Sequence, residues 1–191
     1  MRFMHTVNSL ARVAMFAVAA GYGPTIAAQE QIPIPKPGPE HEVLKADVGS
    51  WDAMVELTFA PGLQPVMSKG VETNVLGCGG LCLISDFKGD LMPGQPFHGH
   101  GFTVWDPAKK KYVGTWTDSM SAGIGLGESS YDASARKATG WMEIPDPTGK
   151  PLKTRMVVEY AADGSRVMTS YMPGPDGKEF MNMKISYTRK K

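Results

Sequence analysis

The sequence predicts an all-β protein: an antiparallel up-and-down β-barrel of about ten strands with one short N-terminal helix. Three observations carry this. Apolar and polar residues alternate over segments of strand length, turn-forming clusters separate those segments at hairpin distance, and no second helical segment is long enough to cross between parallel strands. The 22 glycines and 15 prolines of the 191-residue chain fall as punctuation between apolar segments and form no single biased tract. With 42% hydrophobic residues, 20% charged residues and a formal net charge of +1, the composition argues against a long disordered chain and against a polybasic nucleic-acid binder.

Residues 1–28 carry Arg2 and Arg12 and no acidic residue, then the apolar run Val13 to Ala20, the breakers Gly21, Gly23 and Pro24, and small residues at Ala27 and Ala28. A positive start, a short apolar middle and a small-residue end read as a signal peptide, cleaved near Ala27 or Ala28. The run is shorter than the ~20 residues of a membrane-spanning helix, and no later segment approaches that length, so an exported chain, periplasmic or secreted, without a transmembrane segment is expected. Loss of the leader leaves a near-neutral domain with no electrostatic reason to seek nucleic acid. Residues 29–39 contain prolines at 33, 35, 37 and 39, which deny backbone donors and favour an extended linker. The folded domain is placed at 40–191.

Glu40 to Val48 is rich in helix formers and is followed by Gly49, a suitable helix stop. From Trp51 the period becomes two, with Trp51, Ala53, Val55, Leu57 and Phe59 on one face of a first strand. Further strands are expected at about Val66–Leu76, Leu81–Lys88, Phe97–Trp105, Tyr112–Asp118, Ile124–Tyr131, Lys137–Ile144, Leu152–Tyr160, Arg166–Met172 and Phe180–Thr188. Turn chemistry separates them, as in Asp106-Pro107-Ala108 and Pro173-Gly174-Pro175-Asp176-Gly177, and residues 90–96 read as a loop. A meander of ten strands exposes two long edges unless it closes, which favours a barrel over a two-sheet sandwich.

The segments Val48-Gly49-Ser50-Trp51, Ser68-Lys69-Gly70-Val71-Glu72-Thr73, Asp106 to Met120 (DPAKKKYVGTWTDSM) and Tyr171 to Phe180 (YMPGPDGKEF) resemble the bacterial family known as domain of unknown function 1579. The resemblance runs from about His41 to Arg189. It implies a calycin-like barrel of the lipocalin and nitrobindin type and no established activity. Phe97-His98-Gly99-His100-Gly101 and Gly77-Cys78-Gly79-Gly80-Leu81-Cys82 look peculiar to this member. Nitrobindin-like barrels bind haem through a histidine near the C-terminal end; this chain has no histidine after His100, and no cofactor is expected.

Residue chemistry narrows the function to a class. His98 and His100, two apart in a strand, share a face and are compatible with a metal whose third ligand is Glu72, Asp118 or His41; two glycine-flanked surface histidines are the plainer reading. Cys78 and Cys82 lie about 13 Å apart in a straight strand, but the glycines between them allow a fold-back and hence a disulfide in an oxidising compartment. Glu72, Asp118, Glu128, Arg155 and Glu159 are charges among apolar strand neighbours, and any that points inward must be paired. An inward Arg155 paired with Glu72 or Asp118 offers a polar handle for a carboxylate ligand, with Trp116 and Tyr171 as an aromatic wall.

No nucleophile elbow, phosphate loop or His-Glu-x-x-His occurs, and no catalytic residue is assigned. The favoured reading is a barrel holding a small, mostly apolar or amphipathic molecule, with Glu72, Trp116, Asp118, Arg155, Tyr171, His98 and His100 as ligand-binding candidates. An enzyme using an interior carboxylate with His98 or His100, and a filled barrel meeting an envelope partner, are the alternatives.

Overall fold

The computed structural model describes residues 33–121, 123–146 and 148–191. The leader, its cleavage site and the start of the linker lie outside these residues. The order is α1 (His41–Ala46), β1 (Gly49–Leu57), β2 (Val66–Gly77), β3 (Cys82–Met92), β4 (Gln95–Asp106), β5 (Lys111–Asp118), β6 (Gly125–Asp132), β7 (Lys137–Pro145), β8 (Pro151–Tyr160), β9 (Arg166–Pro173) and β10 (Glu179–Arg189). Each strand pairs antiparallel with the next, and β10 returns to β1, so the sheet closes. Closure satisfies the backbone groups that a ten-stranded open sheet would leave bare at its edges. Among the described residues no helix is long and apolar enough to cross a membrane.

Most of the later hairpins share one device. Asp106, Asp132, Asp146, Asp163 and Asp176 each accept a hydrogen bond through Oδ1 from the backbone N–H two residues on. A short acceptor within the turn fixes the reversal locally, so register does not depend on distant contacts. Two expectations shift. Residues 90–96 are not a loop, because β3 and β4 run on to a tight reversal at Pro93 and Gly94. Strand β1 stops at Leu57, leaving Phe59 exposed in the following loop.

Register assigns the faces. Trp51, Ala53 and Val55 of β1 point inward and meet Met168, Ile185, Tyr187 and Phe87 in the larger core cluster. A smaller cluster of Leu44, Leu83 and Tyr112 docks α1 against the barrel interior. The Tyr112 hydroxyl donates to the Glu40 carbonyl at 2.7 Å, while Trp51 Nε1 and Asn74 Nδ2 donate to the Asp47 carbonyl at 2.8 and 3.0 Å. The two bonds to Asp47 occupy a carbonyl left free at the helix end, and with the Tyr112 bond at its start they tie a six-residue helix, too short to persist alone, over the barrel.

Glycines alternate on the inner face. Gly99 and Gly101 of β4 lie beneath the indole of Trp116, and a Cβ at Gly99 would stand 2.2 Å from its Cζ2. Gly99→Ala is therefore expected to cost about 1–3 kcal/mol, the range for overpacking a core. The loss is read as a lower Tm, and in a Gly99→Ala/Trp116→Leu protein it should be smaller than the sum of the single changes. An unaltered Tm for Gly99→Ala would show that the ring has room to move.

Candidate functional site

The centre of the inner wall formed by β5, β6 and β7 is lined by small residues. Gly114 pairs with Gly127, and Ser129 pairs with Gly140. A Cβ at Gly127 or Gly140 would fall 2.5 or 2.1 Å from a neighbouring strand carbonyl, so these strands approach more closely than side chains allow. Beside this wall and beneath α1 lies a cavity of about 210 Å³, bounded by Val43 and Leu44 above and by Thr103, Ala138, Met142, Met156 and Val158 around it. Its polar groups come from Asp47, Ser129, Tyr112, Tyr131, Tyr160 and Glu128, the last with its carboxylate held by Lys109 and Lys111. A second cleft of about 130 Å³ shares Val43, Tyr131 and Tyr160 with it and adds Arg136 and Arg189. The Tyr131 and Tyr160 rings meet edge to face, 5.8 Å between centroids.

Behind Asp47 stands a buried ionic cluster. Arg166, only 5% exposed, pairs with Glu72 and lies 3.4 Å through Nε from Asp47 Oδ1. Its guanidinium is held between the rings of Trp51 and Tyr187, 4.3 and 4.2 Å from their centroids. Asn74 Nδ2 donates to Glu72 Oε1 at 2.6 Å, and the Tyr160 hydroxyl donates to Asp47 Oδ2 at 3.2 Å. Burial pushes the Asp47 carboxyl up to about 6, against the opposing pull of Arg166. Burial likewise raises the Tyr187 hydroxyl well above its ordinary value, with the charge of Glu72 adding to the effect. Tyr160 is raised too, by burial first and then by Asp47.

The residues singled out from sequence scatter. Glu72 faces inward, but its cation is Arg166 and not Arg155. Trp116 and Asp118 also face inward; Asp118 accepts from Trp116 Nε1 and from the Met120 backbone N–H, both at 2.8 Å, so both carboxylate oxygens are engaged. Arg155 and Tyr171 are paired across β8 and β9 on the outer wall, where Arg155 bonds Glu179 at 2.8 Å and covers the Tyr171 ring at 4.0 Å. The period-two register decides this: Thr154 and Met156 take the inner face, so Arg155 must take the outer one. The interior handle built on Arg155 and Tyr171 is corrected accordingly.

His98 and His100 also point outward, opposite Lys88 and Asp86, and His100 Nδ1 lies 3.0 Å from Asp86. Glu72 and Asp118 are on the other side of the same wall and cannot join them around one ion, nor can either histidine act with an interior carboxylate. Among the described residues no group of three or more His, Cys, Asp or Glu is placed to hold a metal. Glu128 bonds Lys109 and Lys111, and Glu159 bonds Lys137, all on the outer surface. Cys78 and Cys82 are both free; the turn between them brings their Sγ atoms to 2.8 Å, and burial pushes the Cys82 thiol up to about 11.

Asp47, Asn74, Arg166 and the glycine wall escaped the sequence reading. Two signals were available. Arg166 alternates with Met168 and Ser170, which places a charge on a largely apolar face, and Gly99-x-Gly101 and Gly125-x-Gly127 repeat at the strand period. Asp47 gave none, because an acidic residue closing a short helix looks like surface.

The solved structure of Rv2717c from M. tuberculosis superposes with a TM-score of 0.63 at 13% identity, covering 81% of this chain and 99% of that one; it supports the barrel fold alone. A redesigned β-barrel matches with a TM-score of 0.42 at 10% identity, over 78% of this chain and 96% of that one. No functionally curated protein is recognisably similar in sequence. The family model described as Protein of unknown function (DUF1579) matches residues 36–189, and by that match the chain belongs to this family.

Proposed function

We propose that this barrel binds a small, mostly apolar molecule in the cavity beneath α1. One observation carries the reading: a wall of inward glycines leaves about 210 Å³ open inside a barrel whose opposite side is filled by Trp51, Phe87, Ile185 and Tyr187. That volume exceeds the ~150 Å³ apolar cavity that admits benzene and falls short of the ~300 Å³ at which pockets for drug-sized ligands begin. A one- or two-ring molecule fits the size. Binding rather than catalysis is favoured because the interior histidine needed for the acid–base alternative is absent from the described cavity lining. The export reading rests on the leader sequence, and with it goes a disulfide between Cys78 and Cys82, which the proximity of the two thiols supports.

The test is an NMR titration with indole as the probe. Shifts centred on Leu83, Ala138, Met156 and Val158 are expected, and Ala138→Phe, which fills the space, should weaken binding by about tenfold or more, equivalent to about 1.4 kcal/mol. The reading fails if millimolar indole perturbs none of these residues, or if a folded Ala138→Phe protein binds it equally well.

A further inference from the structure

We propose that the cavity beneath α1 selects a cationic ligand, a small primary amine carrying an aromatic ring, whose ammonium group lies against Asp47 and the tyrosine rings around it. This rests on the cavity reading above and goes further by naming the head group.

Charge balance leads to it. Two carboxylates, Asp47 and Glu72, share one buried guanidinium, Arg166, which is closely engaged with Glu72 and stands 3.4 Å from Asp47. The other nearby cation, Arg189, is exposed, stacks on Trp51, and donates to the Val48 and Ala46 carbonyls. Asp47 is therefore the carboxylate left short of compensation, as its upward shift to about 6 also indicates. It is the member of the cluster that lines the cavity, and no Lys, Arg or His lines the cavity among the described residues. At neutral pH the space thus presents negative charge with nothing inside to answer it.

The surrounding surface suits a cation as well. Tyr112, Tyr131 and Tyr160 all line the same space, and aromatic faces attract ammonium groups through the negative face of the ring. The Tyr160 hydroxyl is spent as a donor on Asp47 Oδ2, which leaves that oxygen a further lone pair to accept an ammonium proton. A carboxylate ligand, the class suggested by an inward Arg155, would meet Asp47 with like charge and find no cavity-lining cation.

The probes are benzylamine, benzyl alcohol and benzoate, nearly equal in size and different in head group, titrated into the full chain by calorimetry. Benzylamine should bind about tenfold or more tightly than benzyl alcohol, with benzoate weakest. Asp47→Asn should bring benzylamine down to the level of the alcohol in the same variant. A second readout does not need the variant. The groups facing Asp47 are Glu72 from β2, Tyr160 from β8, Arg166 from β9 and Arg189 from β10; lowering the pH from 7.5 to 5 protonates Asp47 while benzylamine keeps its charge, so its advantage over the alcohol should shrink. Equal binding of amine and alcohol by the native chain, or an amine preference that survives both Asp47→Asn and pH 5, overturns the inference and leaves the cavity reading standing. Failure of all three probes and of indole overturns both.

Discussion

Arg166→Met should destabilise the barrel by about 3–5 kcal/mol, the range for removing one partner of a buried ion pair. A domain of this size has only about 5–15 kcal/mol to lose. Methionine replaces most of the packing between Trp51 and Tyr187, so the loss reports charge more than volume. What the change leaves behind is Glu72, whose described partners are then Asn74 and the Tyr187 hydroxyl, and Asp47, which no longer has a buried cation nearby. Urea denaturation gives the magnitude. Adding Glu72→Gln to Arg166→Met removes the orphaned charge and should restore about 1–3 kcal/mol, so the double variant is more stable than the single one. Strict additivity, or a cost for Arg166→Met below about 1 kcal/mol, would show that these side chains are not a coupled cluster.

The contrast between Arg166 and Arg155 explains how far the sequence could be read. Strand positions and turns were legible because they depend on neighbours: alternation from Trp51 to Leu57 and an aspartate in most of the later turns are local causes with local effects. Which face an arginine occupies depends on register, and one residue of slip exchanges the faces. Arg155 follows Thr154 and precedes Met156, a pattern that leaves its side open until β7 and β9 fix it. Arg166 opens β9 in step with Met168 and Ser170, so its inward facing carried a local sign that Arg155 lacked. The cavity was less legible still. It is made by what Gly114, Gly127 and Gly140 lack, and no single segment contains all three. Their common facing exists only once β5, β6 and β7 are paired. Asp47 is harder again, since its burial comes from the whole barrel end and not from the helix it closes.

The pH dependence of stability gives the second large effect, and its sign follows from Asp47. Folding raises this carboxyl from 3.8 to about 6, so between those values the native state binds more proton than the unfolded chain. Stability attributable to Asp47 must then fall as pH rises through that window, by roughly two pKa steps of 1.36 kcal/mol each, or about 3 kcal/mol in total. The wild-type curve alone mixes in contributions of the opposite sign. Glu128, bonded by Lys109 and Lys111, and Asp132, Asp146 and Asp163, bonded within their turns, are all held below the ordinary carboxylate range and lose their contribution only at more acid pH. The difference between Asp47→Asn and wild type isolates the buried group. Asparagine cannot ionise and can still accept the Tyr160 hydroxyl, so its advantage over wild type should grow by up to about 3 kcal/mol between pH 4 and pH 7 and then level off. A flat difference curve, or one of the opposite slope, would mean that Arg166 compensates Asp47 fully. It would also remove the uncompensated charge on which amine selection depends. If the slope is found, saturating benzylamine should recover part of the penalty at pH 7 and less of it at pH 5, because a ligand that binds the native state stabilises it in proportion to its affinity under those conditions.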